Sequence, residues 1–213
     1  MNAIPEWAEA VCKSLMTALR ERDPYTFGHC MRVARHARLL AKAAGLDEDL
    51  QRLVQYASLF HDLGKLGIPD AILLKPGRLN PREEAIMRSH PVRSVEILAP
   101  LTQVPLFQST LPGIRYHHER IDGQGYPDGI QGMDIPLVAR IIVIADTFDA
   151  MTTNRPYRSA LAEEQAYREL KQFAGRQFDR ELGKVFLKAH PTWGELEEEI
   201  TQEFVADHYL RAA

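Results

Sequence analysis

The sequence predicts an all-α fold, and three observations support this: helical apolar spacing, helix start and stop signals, and helical neighbours around its most apolar segment. Residues 6–20 place apolar side chains such as Trp7 and Val11 four residues apart, which is the spacing of an amphipathic helix. Residues 28–44 repeat that spacing until Gly45 interrupts it. The N-terminal fifth of the chain is therefore predicted to form two helices.

The next two predicted helices start at recognisable caps. Residues 47–63 begin at an aspartate N-cap and end in the stretch LFHDLGK. Asn80 begins a capping box with Glu83. Because a proline disfavours helical geometry in the residue before it, Pro91 predicts that this helix ends at His90.

The C-terminal half continues with a loop and four helices. Residues 123–132 contain four glycines and a proline, so they are predicted to be a loop. Residues 137–150 are apolar enough for a buried strand or a buried helix, and we predict a helix because the neighbours are helical and alanines recur. Three more helices are predicted over residues 163–173, 180–189 and 194–210.

Length and composition indicate one globular domain. The chain has 213 residues, of which 45% are apolar and 26% charged. We divide it into an N-terminal helix, residues 1–22, that packs on a catalytic domain, residues 23–213. The net charge of −3 excludes a general attraction to nucleic acid polymers.

The sequence also predicts where the protein resides. The N-terminus is acidic and lacks a secretory signal, and no apolar run approaches the roughly 20 residues of a membrane span. We therefore expect a cytoplasmic protein without membrane contact, in which Cys12 and Cys30 are reduced thiols.

Histidine and aspartate recur in or at the ends of apolar segments, where an unpaired polar group is costly. A single such histidine would be interpreted as a surface or hydrogen-bonded residue. Metal binding explains the whole set more simply than seven separate hydrogen-bonding arrangements. Its members are His29, His61, Asp62, His90, His117, His118 and Asp146.

The adjacent pair His61 and Asp62 favours two metal ions over one. Neighbouring residues on a helix point about 100° apart, so the pair is better placed to span two ions, with the two oxygens of Asp62 as a bridge. Nitrogen and oxygen ligands without a thiolate suit iron or manganese, and zinc as well. Such a pair of ions activates water and stabilises an in-line displacement at phosphorus. The expected chemistry is phosphoester hydrolysis by a hydroxide that bridges the ions.

Lys65 and Asp149 are candidates for supporting roles. Lys65 shares a helical face with His61 and Asp62 if the helix continues that far, and it could hold a phosphate oxygen or cap the helix C-terminus. Asp149 could be the hydrogen-bond partner of a ligand histidine or an ordinary aspartate on a helix surface. His190, in a charged region, is expected to be solvated.

Six ordered motifs run from residue 23 to about residue 182: DPYTFGH, LFHDLGKLGIPDAILLKPGRL, RSHP, HHERIDGQGYPDG, IPLVARIIVIADTFDAMTTNRPYR and GRQFD. They resemble the HD-GYP subgroup of the HD-domain metal-dependent phosphohydrolases. The resemblance implies an HD-domain helical bundle that encloses a binuclear metal site. It also implies hydrolysis of cyclic di-GMP, a bacterial second messenger, to pGpG, GMP or both. By the same resemblance, all seven histidines and aspartates are metal ligands.

The resemblance adds substrate contacts. Gly125, Tyr126 and Pro127 match the signature of the subgroup, in which a glycine lets backbone approach a ligand and a tyrosine offers a face that stacks on guanine. The positions that contact substrate phosphates in the subgroup correspond to Lys65, Arg155 and Arg158.

Four positions depart from the pattern of the subgroup. Some members hold a third metal through a glutamate four residues before the first ligand histidine. Here that position is Tyr25, so two ions are expected. Ser94 stands where a glycine is usual, Ile121 where a tryptophan is frequent, and Arg180 where a proline often follows FD. None of these three is a ligand, so they bear on substrate contacts or packing and not on the metal site.

The resemblance also raises regulation and two alternative functions. Many relatives attach a receiver or sensory domain, whereas about 22 residues precede DPYT here. Regulation is therefore expected from a receiver, sensory or diguanylate cyclase partner, from a homodimer, or from a segment outside this sequence. One alternative is hydrolysis of another cyclic dinucleotide or of a nucleotide. The other is an inactive domain that only binds cyclic di-GMP or a partner.

Overall fold

The computed structural model describes residues 4–154 and 159–194, and this part of the chain consists of helices and turns with one isolated bridge between Ala174 and Phe178. The all-α prediction is confirmed. The α-helices are α1 (Glu6–Arg22), α2 (Pro24–Ala43), α3 (Glu48–Phe60), α4 (Asp70–Leu73), α5 (Pro81–Met87), α6 (His90–Leu98), α7 (Pro105–Arg115), α8 (Leu137–Thr152), α9 (Glu163–Gln172) and α10 (Arg180–Ala189).

Helix α1 forms as predicted, but it buries a different face. Trp7 and Val11 are 45% and 38% exposed, whereas Ala8 and Met16 are fully buried. The helix carries apolar residues on two faces, and the face with Ala8 and Met16 packs into the core against α2.

Helix α2 begins four residues before the predicted start. Asp23 is its N-cap, and the Asp23 carboxylate accepts hydrogen bonds from the backbone N–H groups of Tyr25 and Thr26, each at 3.1 Å. A proline in the first turn needs no N–H partner, so DPYT is a helix start rather than a loop. Gly45, with a φ of 78°, follows the end of the helix as predicted.

The stretch LFHDLGK is not one continuous helix. Helix α3 ends at Phe60, and Leu63–Gly67 forms a 3₁₀-helix. A Cβ atom at Gly64 would lie 2.1 Å from the carbonyl oxygen of His90 and 2.6 Å from the backbone nitrogen of Ser94. The glycine thus allows α6 to pack directly on this turn.

The capping box at Asn80 is present, but the predicted end of its helix is wrong. Helix α5 ends at Met87, and His90 is the first residue of α6, with Pro91 in the first turn. A proline fits the first turn of a helix as well as it ends the preceding one. Helices α4, α6 and α7 were not predicted.

Helices α8, α9 and α10 are confirmed to within two residues of the predicted bounds, and residues 123–132 contain no α-helix. Most of the last predicted helix, residues 194–210, lies outside the described residues, as do Arg155 and Arg158. Helix α8 is buried on most sides, as its apolar sequence requires.

One apolar core includes residues of α1, α2, α3, α7, α8 and α10, and α2 lies at its centre against α3 and α8. Cys12 and Cys30 are free, buried thiols. The prediction for His190 is wrong: it is 7% exposed, its ring stacks on Phe186, and its Nδ1 atom lies 2.8 Å from the hydroxyl of Tyr167. None of the helices in the described part of the chain is both long and apolar enough to span a bilayer.

Candidate metal centre

The seven predicted ligand residues converge from five places in the chain. These places are α2, the turn after α3, the start of α6, the turn after α7, and α8. Six of the side chains form two groups of three, and the candidate ligand atoms of each group lie within 4.8 Å of one another. The first group is His29, His61 and Asp146, and the second is His90, His117 and His118.

Asp62 lies between the two groups. Its Oδ1 atom is 3.1 Å from Nε2 of His90 in the second group. Its Oδ2 atom is 3.5 Å from Nε2 of His61 and 3.7 Å from Nε2 of His29 in the first group. One carboxylate oxygen therefore faces each group, which is the arrangement that a shared ligand requires.

Backbone carbonyl groups orient three of the histidines. In each case Nδ1 contacts the carbonyl oxygen three residues earlier: His61 with Ser58 at 2.6 Å, His90 with Met87 at 2.8 Å, and His117 with Ile114 at 2.7 Å. Because a carbonyl oxygen only accepts, Nδ1 carries the proton in each neutral ring. The lone pair is then on Nε2, on the opposite side of the ring.

Several acceptor atoms at the centre have no partner among the described residues. Nε2 of His61 and Oδ1 of Asp62 are buried without a hydrogen bond, and the Nε2 atoms of His90 and His117 lie 3.3 Å apart. Burying unpaired acceptors is costly, and a cation between them removes the cost. The donor set of five imidazoles and two carboxylates therefore fits divalent metal ions.

The surroundings of three histidines and of Asp62 favour the protonation states that ligands need. It lowers the pKa of His61 and of His117, and it lowers the pKa of His118 to about 3. Burial would raise the pKa of Asp62, but the charge of Lys65 and the neighbouring imidazoles outweigh it and hold that pKa well below its usual range. Neutral imidazoles and ionised carboxylates are the forms that bind metal.

The pKa of His29 is shifted in the opposite direction. Burial would lower it, but the hydrogen bonds with Asp146 and Asp149 outweigh burial and raise it to about 9. His29 must therefore lose a proton before it can bind a metal ion.

Asp149 contacts one of the candidate ligands. Its Oδ2 atom lies 2.6 Å from Nδ1 of His29, and Nε of Arg32 donates to Oδ1 at 2.6 Å. Burial would raise the pKa of Asp149, but the hydrogen bonds from His29 and Arg32 outweigh it and hold the pKa at about 2. Asp149 is thus an ionised, buried carboxylate next to the first group.

Lys65 lies beside the centre, but in a 3₁₀-helix and not in the continued α-helix that was predicted. The α-helix ends before it, but the 3₁₀-helix brings its Nζ atom within 2.5 Å of Oδ2 of Asp62. The Lys65 side chain remains 22% exposed. A cation therefore lies beside the Asp62 carboxylate and next to solvent.

The signature loop packs on the second group. The ring of Tyr126 stacks on His118 with centroids 4.7 Å apart, and the guanidinium of Arg88 lies 5.1 Å from the centroid of the Tyr126 ring. A Cβ atom at Gly125 would lie 2.4 Å from Cα of Glu119 and 2.6 Å from the carbonyl oxygen of His118. Gly125 therefore permits close approach to the chain's own backbone, rather than to a ligand. Pro127 follows through a cis peptide bond.

Glu119 and Ser94 support the site and were not predicted to do so. Glu119 is buried, and its Oε1 atom accepts from the backbone N–H groups of Asp128 and Gly129 at 2.8 and 2.9 Å, which holds the signature loop. Its place directly after the two histidines was the available signal. The hydroxyl of Ser94 donates to the carbonyl of His61.

A cleft of about 940 Å³ opens above both groups. This volume is within the range of roughly 300–1,000 Å³ that is typical of small-molecule sites. Its lining includes apolar residues such as Leu74 and Met87 and polar residues such as Gln124 and Gln177. Tyr25 also lines the cleft.

Comparison with known proteins supports a common family. Residues 13–182 match the HD domain family. A cyclic di-GMP phosphodiesterase of Thermotoga maritima is 39% identical over 183 residues, which are 86% of this chain and 48% of that protein. The 3'3'-cGAMP-specific phosphodiesterase 2 of Vibrio cholerae is 39% identical over 188 residues, which are 88% of this chain and 36% of that protein.

The fold also matches a solved structure. The crystal structure of a cyclic GMP-AMP specific phosphodiesterase of Vibrio cholerae, V-cGAP3, has a TM-score of 0.66 at 21% identity and covers 92% of this chain and 52% of that one. At this identity the likeness concerns the fold alone. The chain spans half or less of the length of the curated relatives described above. The chain belongs to the HD domain family, and to its HD-GYP type.

Proposed function

We propose that this chain is a metal-dependent phosphodiesterase that hydrolyses cyclic di-GMP to pGpG, to GMP or to both. The observation that carries the proposal is the position of Asp62 between two groups of three ligand residues, below an open cleft. The name of the Thermotoga maritima relative, a cyclic di-GMP phosphodiesterase, supports the substrate.

Each group of three would hold one divalent ion, with Asp62 as the shared ligand. Imidazole and carboxylate ligands favour iron or manganese, and zinc also accepts them. When bound, a pair of divalent ions lowers the pKa of bound water and stabilises charge on the reacting phosphate oxygens. The protein's part is to hold the imidazole and carboxylate ligands in place.

The remaining polar residues would bind the substrate. Lys65 lies beside Asp62 with part of its side chain in the cleft, so its ammonium can bind a phosphate oxygen. Tyr126 has its ring on His118 and also lines the cleft, where a nucleobase can reach it. We also propose Arg155 and Arg158 as phosphate contacts, on sequence resemblance alone.

Hydrolysis of 3'3'-cGAMP is the second candidate function. A cGAMP-specific relative is as similar to this chain as the cyclic di-GMP relative, at 39% identity. The two substrates differ in one base, so the cleft residues that meet the bases decide between them. The inactive-domain alternative has less support, because all seven candidate ligands are present.

A substrate panel tests the proposal. Metal-free protein is loaded with Mn²⁺ or Fe²⁺ and incubated with cyclic di-GMP, 3'3'-cGAMP and cyclic di-AMP, and products are separated by chromatography. We expect cyclic di-GMP to be cleaved fastest, and activity to disappear with a chelator. Faster cleavage of 3'3'-cGAMP would favour the second candidate. Tight binding of cyclic di-GMP without cleavage would contradict both.

Partners and compartment are further parts of the proposal. We infer that a receiver, sensory or diguanylate cyclase protein, or a second copy of this chain, regulates the enzyme in the cytoplasm, where the free thiols Cys12 and Cys30 remain reduced. Size-exclusion chromatography with light scattering would distinguish the monomer from the dimer.

A further inference from the structure

We propose that Arg32 is a positioning residue of the metal centre: it fixes the carboxylate of Asp149, which in turn fixes the ring of His29. The inference rests on the metal centre of the proposed function. It assigns a role to a residue that touches neither a candidate ligand atom nor the reacting groups.

The contacts of Asp149 leave its carboxylate one orientation. Nε of Arg32 donates to Oδ1 at 2.6 Å, and Nη2 of Arg32 donates to Oδ2 at 3.1 Å. The same Oδ2 atom lies 2.6 Å from Nδ1 of His29, and the hydroxyl of Thr153 is 3.3 Å from Oδ1. A planar guanidinium that binds both oxygens fixes the plane of a carboxylate, which a single contact does not.

The orientation of Asp149 controls where His29 points. Nε2 of His29, on the far side of the ring, is 3.1 Å from Oδ1 of Asp146 and 3.7 Å from Oδ2 of Asp62. If the Asp149 carboxylate rotated, the ring of His29 would lose the contact that aims Nε2 into the first group.

Because the Asp149 carboxylate is buried, it needs the positive charge of Arg32 in addition to the orienting contacts. The side chains of Asp149 and His29 are 2% and 4% exposed, whereas that of Arg32 is 33% exposed. An ionised carboxylate buried without a positive partner is strongly destabilising. Arg32 therefore supplies charge from the protein surface to a carboxylate that solvent does not reach.

The helices arrange these residues in two layers. Arg32 follows His29 by three residues on α2, and Asp149 follows Asp146 by three residues on α8, so each pair lies on one face of its helix. The layer of candidate ligands is His29 with Asp146, and the layer behind it is Arg32 with Asp149. A Cβ atom at Gly28 would lie 3.2 Å from Nη1 of Arg32, so the glycine leaves room for the guanidinium.

His29 is held differently from three of the other candidate ligands. His61 of the first group and His90 and His117 of the second contact backbone carbonyls through Nδ1, whereas Nδ1 of His29 contacts a side chain. Loss of Arg32 should therefore weaken the first group and leave the second group, His90, His117 and His118, intact. The expected signature is the loss of one of two metal sites.

Titration of metal-free protein with Mn²⁺ tests this, with stoichiometry and affinity as readouts. Arg32→Ala should keep one tight site and weaken the other by about 10–100-fold, as losses of supporting partners do. Arg32→Lys keeps the charge but not the planar two-armed contact, so it should weaken the same site less. Arg38→Ala is the matched control on α2, since Arg38 binds Gln55 and Glu48 instead. Circular dichroism of each metal-free variant confirms that it folds.

Several outcomes would overturn the inference. Two sites of unchanged affinity in Arg32→Ala would do so, and so would equal weakening of both sites in a folded variant. If Arg32→Ala does not fold, the test depends on Arg32→Lys. Wild-type Mn²⁺ affinity at both sites of Arg32→Lys would refute the positioning role of Arg32. Failure of the wild-type protein to bind Mn²⁺ would instead reject the metal centre itself.

Discussion

The Nε2 atoms of His90 and His117 lie 3.3 Å apart, while each ring contacts a backbone carbonyl through Nδ1. In the neutral rings both Nε2 atoms are acceptors, so two lone pairs are held close together in a buried site. The fold pre-forms this arrangement and a cation would relieve it. The protein should therefore be more stable with metal than without it.

Metal should raise the unfolding temperature. An ion that binds only the folded chain stabilises it by about 2.7 kcal/mol per site when the free ion is at 100 times Kd. We expect thermal unfolding to shift upward with Mn²⁺ and back with a chelator. The double variant His90→Ala/His117→Ala should show a smaller shift, and an undiminished shift in that variant would place the metal elsewhere.

Asp62→Ala should abolish turnover of cyclic di-GMP and leave the helical content largely intact. The variant removes the oxygens that face both groups and leaves Lys65 without its 2.5 Å partner. The loss should exceed the roughly 10–100-fold that removal of a supporting residue costs. The rate is measured by chromatography of products. Asp70→Ala, at an exposed ion pair with Arg22, is the control, and near wild-type turnover in Asp62→Ala would refute the bridging role.

Gly125→Ala should displace the signature loop. The new methyl group would lie 2.4 Å from Cα of Glu119, and overpacking of this kind costs roughly 1–3 kcal/mol. We expect lower stability to urea and lower turnover, because Tyr126 would leave His118. Gly183→Ala in α10 is the control, since nothing beyond the adjacent residues and backbone of its own helix lies within 4 Å of the added methyl group, and it should gain up to about 1 kcal/mol. Equal behaviour of the two variants would contradict the packing role of Gly125.

Ser94→Ala should destabilise the protein by about 1–3 kcal/mol, the cost of leaving buried backbone groups unpaired. Its hydroxyl accepts from the N–H of Gly64 at 2.7 Å and donates to the carbonyl of His61 at 2.8 Å. Urea unfolding measures the effect. Exposed Ser14→Ala should change stability by less than about 0.5 kcal/mol, and the same small change in Ser94→Ala would show that the bridge is unimportant.

Asp179 should make stability depend on acid pH. Burial would raise its pKa, but hydrogen bonds from the backbone N–H of Leu182 and from Arg140 outweigh burial and lower it. The stability from ionised Asp179 is thus present above the unfolded pKa of about 3.9 and is lost as the pH falls through the folded pKa. Asp179→Asn should be less stable than wild type at pH 7, with a gap that narrows below pH 4. A constant gap in urea unfolding would contradict this.

The candidate ligands could be chosen from sequence because their residue types are unusual in apolar segments. Their division into two groups could not be predicted from sequence, since it depends on how α2, α3, α6 and α8 cross. The adjacent pair His61 and Asp62 did indicate that Asp62 could face both groups, because that inference needs only local geometry. A carboxylate shared between two ions stays a prediction.

The wrong predictions came from sequence features that are compatible with two different structures. Pro91 can follow the end of one helix or occupy the first turn of the next, and the chain uses the second option. Trp7 and Val11 share a helical face, yet the neighbouring face of α1 is apolar too, and periodicity does not tell which one is buried. Gly125 signals close approach, but the sequence does not say what approaches it.

Anomalous diffraction from crystals of the Mn²⁺-loaded protein tests the central claim most directly. We predict two metal peaks, one at His29, His61 and Asp146 and one at His90, His117 and His118, with Asp62 bound to both. A single peak, or two peaks without Asp62 between them, would contradict the account.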